Sequence, residues 1–377
     1  MRICGDEWMK VRLTDICTPR QWKTIPTSEL LNEGYPVYGA NGIIGYYNGY
    51  NHESPVVTIT CRGATCGTIN ITAPKSYVTG NAMCLDDLRP DVLLEYLYYS
   101  LLHYNFRNVI SGSAQPQITR QGLEKVNIEL HSLDEQRTII DVLSKLERII
   151  LARKEELQKL DNLVKARFVE MFGIYPANQM GWETGKIRDT VADVRYGSSR
   201  PAVDGGKYPY LRMNNITYGG ELDLSDVKRI DVPENELDKC TVRRGDVLFN
   251  RTNSKELVGK TCVYDRDEMM VLAGFVIRVR VNDRVLPEFL SAFLNTDFSK
   301  KTLSEMCKAA IGQANINAQE MQNIGLYLPP LELQRQFVQF KKQIDKSKVV
   351  ESIHRMNVLF NITLNGGNRY DIRANEF

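Results

Sequence analysis

Histidine, paired cysteines and long apolar runs are what this sequence has little of. It contains four histidines and eight cysteines in 377 residues, and no two cysteines form a CxxC pair. Structural zinc sites use closely spaced Cys and His ligands, so a metal site is not predicted, and reduced, buried thiols in the cytoplasm are expected. No apolar run reaches the roughly 20 residues needed to cross a membrane, and the start, MRICGDEWMK, lacks a signal-peptide core. We therefore predict a cytoplasmic protein with no membrane association.

Catalytic motifs are also missing. Gly259-Lys260-Thr261 resembles the end of a phosphate-binding loop, but Ser254 stands where that motif requires glycine. The Asp/Asn-Pro-Pro-aromatic motif of amino-methyltransferases is absent, and no Ser-His-Asp or metal constellation is visible. His52 and His103 are isolated in the sequence and are predicted to be structural. The sequence therefore predicts a protein that is not an enzyme.

The balance of charge is close to neutral. Lysine and arginine number 48 and aspartate and glutamate number 46, which gives a formal net charge of +2. A protein that binds DNA by itself usually carries a basic surface, because phosphate contacts dominate affinity. If this chain binds DNA, it must use a local patch or share the electrostatic work with a partner.

The most regular segment is a predicted helix from Leu133 to Gly173. Asp134 and Glu135 suit the positive end of the helix dipole, and Gly173 followed by Pro176 predicts the end. Apolar residues recur with heptad spacing, interrupted at Arg153, which predicts a coiled-coil seam. The seam consists of Ile139, Leu143, Leu146, Ile150, Leu157, Leu160 and Val164. A helix of this length spans roughly 57 Å at about 1.5 Å per residue.

The approach to this helix occurs twice. SAQPQITRQGLEKVNIELHSLDEQR ends at Arg137, and IGQANINAQEMQNIGLYLPPLELQR ends at Arg335, and the two segments align without a gap at a separation of 198 residues. Gln136 matches Gln334 and Ile118 matches Ile316. The chain is therefore interpreted as a tandem duplication of a globular unit followed by a long helix.

The duplication divides the chain. We predict globules at residues 1–131 and 174–330, long helices at 132–173 and 331–364, and a tail at 365–377. Trp182 and Tyr208 match Trp8 and Tyr35. Because the separation of matched residues grows from about 173 to 198, the second globule carries about 25 extra residues.

The local patterns predict elements within each globule. Val56–Thr60 and its counterpart ending at Asn250 are predicted strands, each followed by a polar turn, with Arg62 and Arg251 in matching places. Residues 93–103 and 287–294 are predicted to be matching buried helices. Phe337, Phe340 and Ile344 start a seam in the second long helix, which Val349, Ile353, Met356 and Phe360 continue after a change of phase.

The repeated arrangement resembles the specificity subunit of type I restriction–modification systems. The strongest local matches are YPVYGANGIIGYYN in the first globule, VRRGDVLFNRTN in the second, the AQPQIT and QANIN loops, FVEMFG, and the repeated L-x-x-QR at each helix start. The resemblance implies an α+β fold. It implies two target recognition domains separated by two long antiparallel coiled-coil helices, related by an internal pseudo-twofold axis.

The resemblance also implies a function and partners. Each globule would read one half of a split site in double-stranded DNA, and the helices would set the spacing and bind two methyltransferase subunits. Restriction subunits would complete the complex. No cofactor is expected on this chain, whereas S-adenosylmethionine and ATP with magnesium are expected on the partner subunits. The outer helix faces, with Phe168, Met171 and Phe172 at one end, are predicted to bind the methyltransferase.

Geometry supports the same function independently. Two domains that read bases on one face of B-DNA must lie about one helical turn apart, roughly 34 Å, and the predicted helix is long enough for that separation. Arginine reads guanine, and asparagine or glutamine reads adenine, through paired hydrogen bonds. Candidate recognition residues are turn and loop residues with such donors. They are Arg20, Lys23, Asn41, Tyr46, Arg62, Gln115 and Gln117 in the first globule, and Arg200, Arg212, Asn214, Asn215, Arg251, Asn253, Lys255, Gln313 and Asn315 in the second.

Alternatives remain at this stage. Any one of the candidates is as readily explained as a solvated loop residue, and Gln115 and Gln313 also suit a role in bracing the helix start. The alternative function is a coiled-coil scaffold whose globules bind protein or carbohydrate, which the even charge balance favours slightly. An orphan enzyme is a third hypothesis, against which the missing motifs argue.

Overall fold

The computed structural model describes residues 9–112, 116–307 and 314–365, with side chains of the last range described as far as Lys348. The chain forms two compact units, Met1–Ala152 and Arg153–Phe377. The boundary falls within the first long helix, so each unit includes one half of that helix. Within the described residues, no helix is long and apolar enough to span a membrane.

The first unit is built from short strands and a few helices. Its helices are Leu13–Ile16, Leu94–Leu102 and Arg120–Leu123, with 3-10 turns at Thr27–Glu29 and Phe106–Asn108. Its strands are Met9–Arg12, Thr18–Arg20, Tyr35–Gly39, Gly42–Tyr47, Val57–Thr60, Ile69–Ile71, Tyr77–Val78, Ala82–Asp86, Ile110–Ser111, Gln117–Ile118 and Asn127–Leu130. The first strand ends at Arg12, because the chain turns into a helix at the buried Leu13, and Trp8 lies outside the described residues.

The second unit repeats this composition with longer connections. Its helices before the last are Glu234–Cys240, Pro287–Leu294, Asp297–Met306 and Ala318–Gln322, with 3-10 turns at Ile187–Thr190 and Met213–Asn215. Its strands are Glu183–Lys186, Val191–Tyr196, Tyr208–Leu211, Lys228–Ile230, Thr241–Val242, Val247–Asn250, Thr252–Asn253, Thr261–Val263, Met270–Leu272, Val276–Val281, Ala314–Asn315 and Gly325–Leu328.

Equivalent strands pair in the same way in both units. Met9–Arg12 lies antiparallel to Asn127–Leu130, and Glu183–Lys186 lies antiparallel to Gly325–Leu328. The residue after each first strand makes an equivalent hydrogen bond in both units. The Leu13 N–H donates to the Val126 carbonyl, and the Ile187 N–H donates to the Ile324 carbonyl. Each unit thus brings its first strand beside the strand that precedes its long helix. The α+β class and the internal duplication are confirmed.

Each unit also contains a four-stranded antiparallel sheet, and one of its two inner strands leads into an exposed turn and is buried on both faces. In the first unit this strand is Val57–Thr60, and in the second it is Val247–Asn250. Alternate residues of a strand face opposite sides, so Val247 and Phe249 join one apolar cluster while Leu248 joins another. A strand enclosed in this way has a well-determined register, and the residue that follows it is held accurately.

The first long helix is observed at Leu133–Phe172. Ser132 and Glu135 form a capping box at its start, in which the Glu135 carboxylate accepts from the Ser132 N–H at 3.0 Å. Gly173 ends it with φ of +80°, a conformation that glycine adopts readily. The second long helix is Leu331–Asn365, so it includes Asn365, which was assigned to the tail. Residues 366–377 lie outside the described residues.

The predicted seam of the first long helix forms one stripe of half-buried residues. All seven apolar seam residues are partly covered, and so is Arg153 at the interruption. Arg153 forms an ion pair with Glu156 on the same helix. The polar seam position is therefore accommodated by a carboxylate one turn away.

The two long helices run antiparallel where both lie in the second unit. Phe168 of the first long helix packs against Phe337 of the second, with ring centroids 5.3 Å apart. Asp161, about two turns before Phe168, forms an ion pair with Lys348, about three turns after Phe337. The direction is therefore opposite in the two helices. This agrees with the predicted antiparallel arrangement for this stretch. Beyond Lys348 the predicted seam, Val349, Ile353, Met356 and Phe360, lies outside the described side chains.

The aromatic end of the first long helix is not an open surface. Phe168 is 4% exposed and Phe172 is 1% exposed, and both pack against Phe289 and Phe337 in the core of the second unit. The prediction that these residues lie on an outer face for a partner is wrong. The apolar stripe turns inward at this end because the globule that follows the helix folds back onto it.

One buried glutamine fastens each long helix to its globule. Gln136 and Gln334 are both fully buried, one turn into their helices. The Gln136 Oε1 accepts from the Leu93 N–H, and the Gln334 Oε1 accepts from the Leu286 N–H, both at 2.8 Å. Each amide NH2 donates to two carbonyls, Asp91 and His131 in the first unit and Arg284 and Pro329 in the second. The same three-bond junction therefore occurs twice.

Removing this junction should destabilise the fold. We expect Gln136→Leu or Gln334→Leu to lower the free energy of unfolding by roughly 2–4 kcal/mol, because a backbone N–H and two carbonyls lose their partner in a dry site. Gln336→Leu is the matched control, since Gln336 is exposed on the same helix. Chemical unfolding followed by circular dichroism measures the difference. Equal midpoints for the Gln334 and Gln336 variants would contradict the assignment.

Candidate nucleic-acid interface

In the first unit, three of the predicted recognition residues lie in or beside the turn that follows the buried strand Val57–Thr60, which we call the strand-end turn. Arg62 follows the buried strand Val57–Thr60 and pairs with Gln117 in an isolated antiparallel bridge. Thr65, in the same turn, donates a hydrogen bond from its hydroxyl to the side-chain carbonyl of Asn41. Asn41, Arg62 and Gln117 are therefore neighbours, although they are far apart in sequence. The arrangement offers guanidinium and amide groups side by side on an exposed turn.

The second unit gathers a corresponding set. The Ile316 N–H donates to the Arg251 carbonyl at 2.9 Å. The adjacent strand Thr252–Asn253 pairs with Ala314–Asn315. Arg251, Asn253 and Asn315 therefore lie together where the buried strand ends. Both units thus place candidate base-reading groups at the same point of the fold.

The two arginines do not occupy matching positions, contrary to the prediction. The Ile118 N–H donates to the Cys61 carbonyl at 3.0 Å, which is the bond that Ile316 makes to Arg251. Because Ile118 and Ile316 are equivalent in the duplication, Arg251 corresponds to Cys61, and Arg62 corresponds to the next residue, Thr252. The prediction was one residue out of register.

This shift has a physical consequence. Successive residues of an extended chain point to opposite sides. Accordingly Arg62 is exposed, whereas Thr252 is 8% exposed, and Cys61 is fully buried, whereas Arg251 is half-buried. The two units therefore present their arginines from opposite sides of equivalent turns. They have diverged in geometry as well as in residue type.

Arg251 is oriented by its neighbours. Its guanidinium carbon lies 5.0 Å from the centroid of the Tyr196 ring, a cation–π contact, and Nη1 lies 3.5 Å from the Gly274 carbonyl. The Tyr196 hydroxyl is itself fixed, because it accepts from the Ala318 N–H at 2.9 Å. Nε is buried without a hydrogen-bond partner in the described part of the chain. The group is thus held in one orientation with donor capacity remaining.

Arg62 has the opposite character. Its side chain makes no hydrogen bond or ion pair to any described residue, and it lies in solvent on a turn with positive φ at Gly63 and Gly67. A long free side chain loses conformational entropy when it is ordered by a ligand. Arg62 is therefore suited to a contact that forms on binding, whereas Arg251 is suited to one that is oriented beforehand.

Two aromatic residues beside Arg251 were missed by the sequence analysis. Tyr196 is 44% exposed and Phe275 is 52% exposed, and the Phe275 carbonyl accepts from the Arg251 N–H at 3.0 Å. In the first unit the equivalent bond goes from Cys61 to Asn81. Exposed aromatic rings beside cations can stack on or wedge between bases. A single Phe in a Gly-Phe turn carries no periodic signal, so sequence patterns could not identify it.

Three predicted arginines are already neutralised by carboxylates. The partners are Asp86 and Asp87 for Arg20, at 3.4 Å each, Glu236 for Arg200, at 2.7 Å, and Asp226 for Arg212, at 2.8 Å. The hydrogen bond from Arg212 holds the pKa of Asp226 below its usual value, as that from Arg200 does for Glu236. A phosphate would have to compete with these carboxylates. They are weaker candidates than Arg62 and Arg251.

Asn215 serves its own loop. It is 2% exposed, its Oδ1 accepts from the Arg212 N–H, and its Nδ2 donates to the carbonyls of Asp223 and Asp226. All of its strong hydrogen-bonding groups are engaged. The prediction that Asn215 is a DNA-reading residue is therefore wrong, because its buried side-chain amide has no group left to bond to a base.

The other candidates are exposed or lie outside the described residues. Lys23, Tyr46, Asn214 and Lys255 are exposed, and their side chains form no hydrogen bond or ion pair within the described ranges. Gln115 and Gln313 lie outside the described residues, so their predicted roles stay predictions. The bracing of each helix start that was considered for them is carried by Gln136 and Gln334.

One cluster has the composition of a metal site. Potential ligand atoms of His52, Cys84 and Asp86 lie within 4.8 Å of one another. However, the Asp86 carboxylate already accepts from His52 Nε2 at 2.9 Å and from Trp22 Nε1 at 3.0 Å. Burial raises the pKa of the Cys84 thiol, which disfavours the thiolate that a metal requires. The cluster is therefore a hydrogen-bonded structural centre.

The other thiols are also unreactive by environment. All seven described cysteines are free, and six of them are buried. Burial raises the pKa of Cys17 to about 12, so this thiol stays protonated at neutral pH. This agrees with the expectation of reduced, buried thiols for the described residues.

The chain is similar in sequence to known specificity subunits. The chain is 22% identical over 279 residues to the type I restriction enzyme EcoKI specificity subunit of Escherichia coli (strain K12), covering 68% of this chain and 60% of that protein. It is 26% identical over 302 residues to the type I restriction enzyme MjaVIII specificity subunit of Methanocaldococcus jannaschii, covering 72% of this chain and 69% of that protein. The chain thus spans less than two thirds of the E. coli relative's length.

A solved structure and a family model complete the comparison. A crystal structure of a type I restriction-modification system S subunit from M. genitalium matches with a TM-score of 0.53 at 15% identity, covering 95% of this chain and 97% of that one, which shows a shared fold. The model of the family described as "Type I restriction modification DNA specificity domain" matches residues 5–162 and 180–356. The two matched blocks follow the internal duplication and include most of the sequence, so the chain belongs to the family of type I restriction-modification DNA specificity domains.

Proposed function

We propose that this chain is the DNA sequence-recognition subunit of a type I restriction–modification complex and has no catalytic role of its own. Each globule reads one half of a split site in double-stranded DNA, and the long helices set the distance between the halves. The observation that carries the proposal is the repetition of one scaffold with different side chains at the same strand-end turn. Shared scaffolds with divergent loops are typical of modules that recognise different sequences.

The chemistry of the two turns supports base recognition. The first turn offers Arg62, Asn41 and Gln117, and the second offers Arg251, Asn253 and Asn315. Paired hydrogen bonds from arginine suit guanine, and those from asparagine or glutamine suit adenine. Because this chain has a net charge of only +2, other subunits would supply much of the affinity for the DNA phosphates.

We place the remaining chemistry on partners. Two methyltransferase subunits would bind the outer faces of the long helices, one for each repeat, with S-adenosylmethionine as their cofactor, and restriction subunits would use ATP and magnesium. Val142, Ile149 and Leu151 are exposed apolar residues on the first long helix and fit such a contact. Methylome sequencing of a host with and without this gene tests the proposal, because a split motif should appear only with the gene.

Loss of either arginine should weaken recognition of one half-site. We expect Arg62→Ala or Arg251→Ala to weaken specific binding by roughly 1–3 kcal/mol if the arginine makes a bidentate base contact. A phosphate contact would instead weaken binding to all sequences and lower the salt slope by about 1. Titration of specific and scrambled duplexes at several salt concentrations distinguishes the two.

Matched controls exist for both arginines. Arg266→Ala removes an exposed arginine near the opposite end of the second unit's buried strand. Lys75→Ala removes an exposed lysine near the opposite end of the first unit's buried strand. Neither control should alter affinity. If the Arg62 and Arg251 variants bind like the wild type, both residues are solvated loop residues.

Exchange of one globule should alter one half of the site. Replacing residues 1–131 with the equivalent segment of a relative should change the recognised bases on one side of the gap only. The reason is that each unit has its own apolar core. Methylation mapping of the hybrid measures this, and a change in both halves would contradict modular recognition.

Lengthening the first long helix should lengthen the gap. Four residues inserted near Lys154 add one turn, about 6 Å, which is close to two base-pair steps of about 3.4 Å. We expect unchanged half-sites with one or two further bases between them, as read by methylation mapping. The same insertion at the exposed turn at Gly205 is the control. An unchanged gap with full activity would show that the helices do not set the spacing.

A further inference from the structure

The second unit contains a long loop that the first lacks. In the first unit Tyr35–Gly39 and Gly42–Tyr47 are joined by residues 40 and 41 alone. In the second unit the equivalent strands, Tyr208–Leu211 and Lys228–Ile230, are joined by residues 212–227. Much of the extra length of the second globule is therefore concentrated in this one connection, which we name the insertion loop (residues 212–227).

The insertion loop is self-supporting at its base. Asn215, buried inside it, links its two ends through hydrogen bonds to the carbonyls of Asp223 and Asp226. Ile216, which is 1% exposed, pairs with Leu222 and packs into the apolar cluster of the unit. A loop with a buried polar centre and an apolar anchor is expected to keep one conformation.

The tip of the loop lies tightly against two other elements. Gly220 has φ of +87°, and a Cβ built there would lie 2.5 Å from Asn295 Nδ2 and 2.9 Å from the Thr261 carbonyl. No other residue type fits without moving the loop or the sheet. The tip is therefore packed against the sheet and against the end of the helix Pro287–Leu294.

Two lysines from helices meet the tip. The Lys300 Nζ lies 5.2 Å from the Tyr218 ring centroid and donates to the Gly259 carbonyl at 2.9 Å. Burial lowers the pKa of Lys300 to about 8, with the nearby charges of Lys165 and Lys260 acting in the same direction. The ring face of Tyr218 offsets part of that cost, since aromatic faces stabilise a nearby cation.

The second lysine connects the loop to both long helices. Lys348, on the second long helix, donates to Asp161 on the first long helix and to Glu221 in the loop, the latter at 2.9 Å. Its side chain is 16% exposed. Burial alone would lower its pKa, but the hydrogen bonds to Asp161 and Glu221 outweigh that effect and the pKa is raised. One ammonium group thus joins three elements of the second unit.

We propose that the insertion loop is a brace that fixes the second recognition globule on the helix pair, with Lys348 as the positioning residue. The first globule has no equivalent loop; beyond Gln136, Ile139 and Ile140 of the helix pack against its core, and Tyr99 donates an exposed hydrogen bond to Glu147. The proposal rests on the proposed function. In that context the brace makes the gap between the half-sites specific, because the angle of the second globule on the helices determines where its turn meets the DNA.

The test measures selectivity for the gap. The full chain, assembled with its methyltransferase subunits, is assayed on duplexes that have the wild-type gap or a gap one base pair longer or shorter. We expect Lys348→Met and Glu221→Gln each to reduce the preference for the wild-type gap by about three- to tenfold, which is the effect of losing one partly buried ion pair. Selectivity for the bases within each half-site should be unchanged. Asp161 and Glu221 are 42% and 53% exposed, so water replaces the lost partner and the variants should fold.

A matched control and a double variant sharpen the result. Lys346→Met removes an exposed lysine two residues away that forms no ion pair within the described residues, and it should leave the gap preference unchanged. Because Lys348 and Glu221 act on each other, the double variant should lose no more preference than Lys348→Met alone. Unchanged preference in both single variants, or fully additive losses, would overturn the proposal.

Hydrogen exchange separates this proposal from the proposed function. In the free full chain, amide protection of residues 217–222 should fall in Lys348→Met and not in Lys346→Met. Equal protection in the two variants would overturn the brace without reference to DNA. If instead the wild-type complex recognises no split site, the proposed function fails, while the exchange experiment still decides whether Lys348 holds the loop.

Discussion

The full burial of one glutamine side chain at each helix start is the constraint on which the architecture depends. The side-chain oxygen and NH2 group of Gln136 and of Gln334 need hydrogen-bond partners away from water. In each unit a backbone N–H donates to the oxygen, and the NH2 group donates to two backbone carbonyls. An unsatisfied amide in such a place would cost far more than a surface hydrogen bond contributes. The long helix can therefore leave the globule in one direction. The same solution in both units explains why the L-x-x-QR segment recurs while the rest has diverged.

On this common frame, the exposed turns have changed freely. The enclosed strands ending at Thr60 and Asn250 hold the following residues at equivalent points, yet the arginines are shifted by one position and face opposite sides. Arg251 is oriented by Tyr196, whereas the Arg62 side chain forms no hydrogen bond or ion pair with a described residue. A scaffold that tolerates such changes is suited to acquiring new recognition sequences without new folding problems.

The duplication is accompanied by asymmetry. The insertion loop of the second unit replaces a short turn and reaches across to both long helices through Lys348. Partly buried lysines between carboxylates contribute more to geometry than to stability, because desolvation offsets much of the attraction. The two units thus share a fold and differ in the loop contacts that join the second globule to the long helices.

The sequence by itself determined the duplication, the long helices and the strands that end at Thr60 and Asn250, because repeats, heptads and apolar runs are local patterns, and its resemblance to a known family implied the α+β class. It also placed candidate donors at the strand-end turns. Tertiary structure alone decided that Arg62 and Arg251 are out of register and that Phe168 and Phe172 are buried. It also decided that Asn215 serves its loop and that Tyr196 and Phe275 flank Arg251. The physical reason is that burial and pairing are set by residues distant in sequence, which a local pattern does not record.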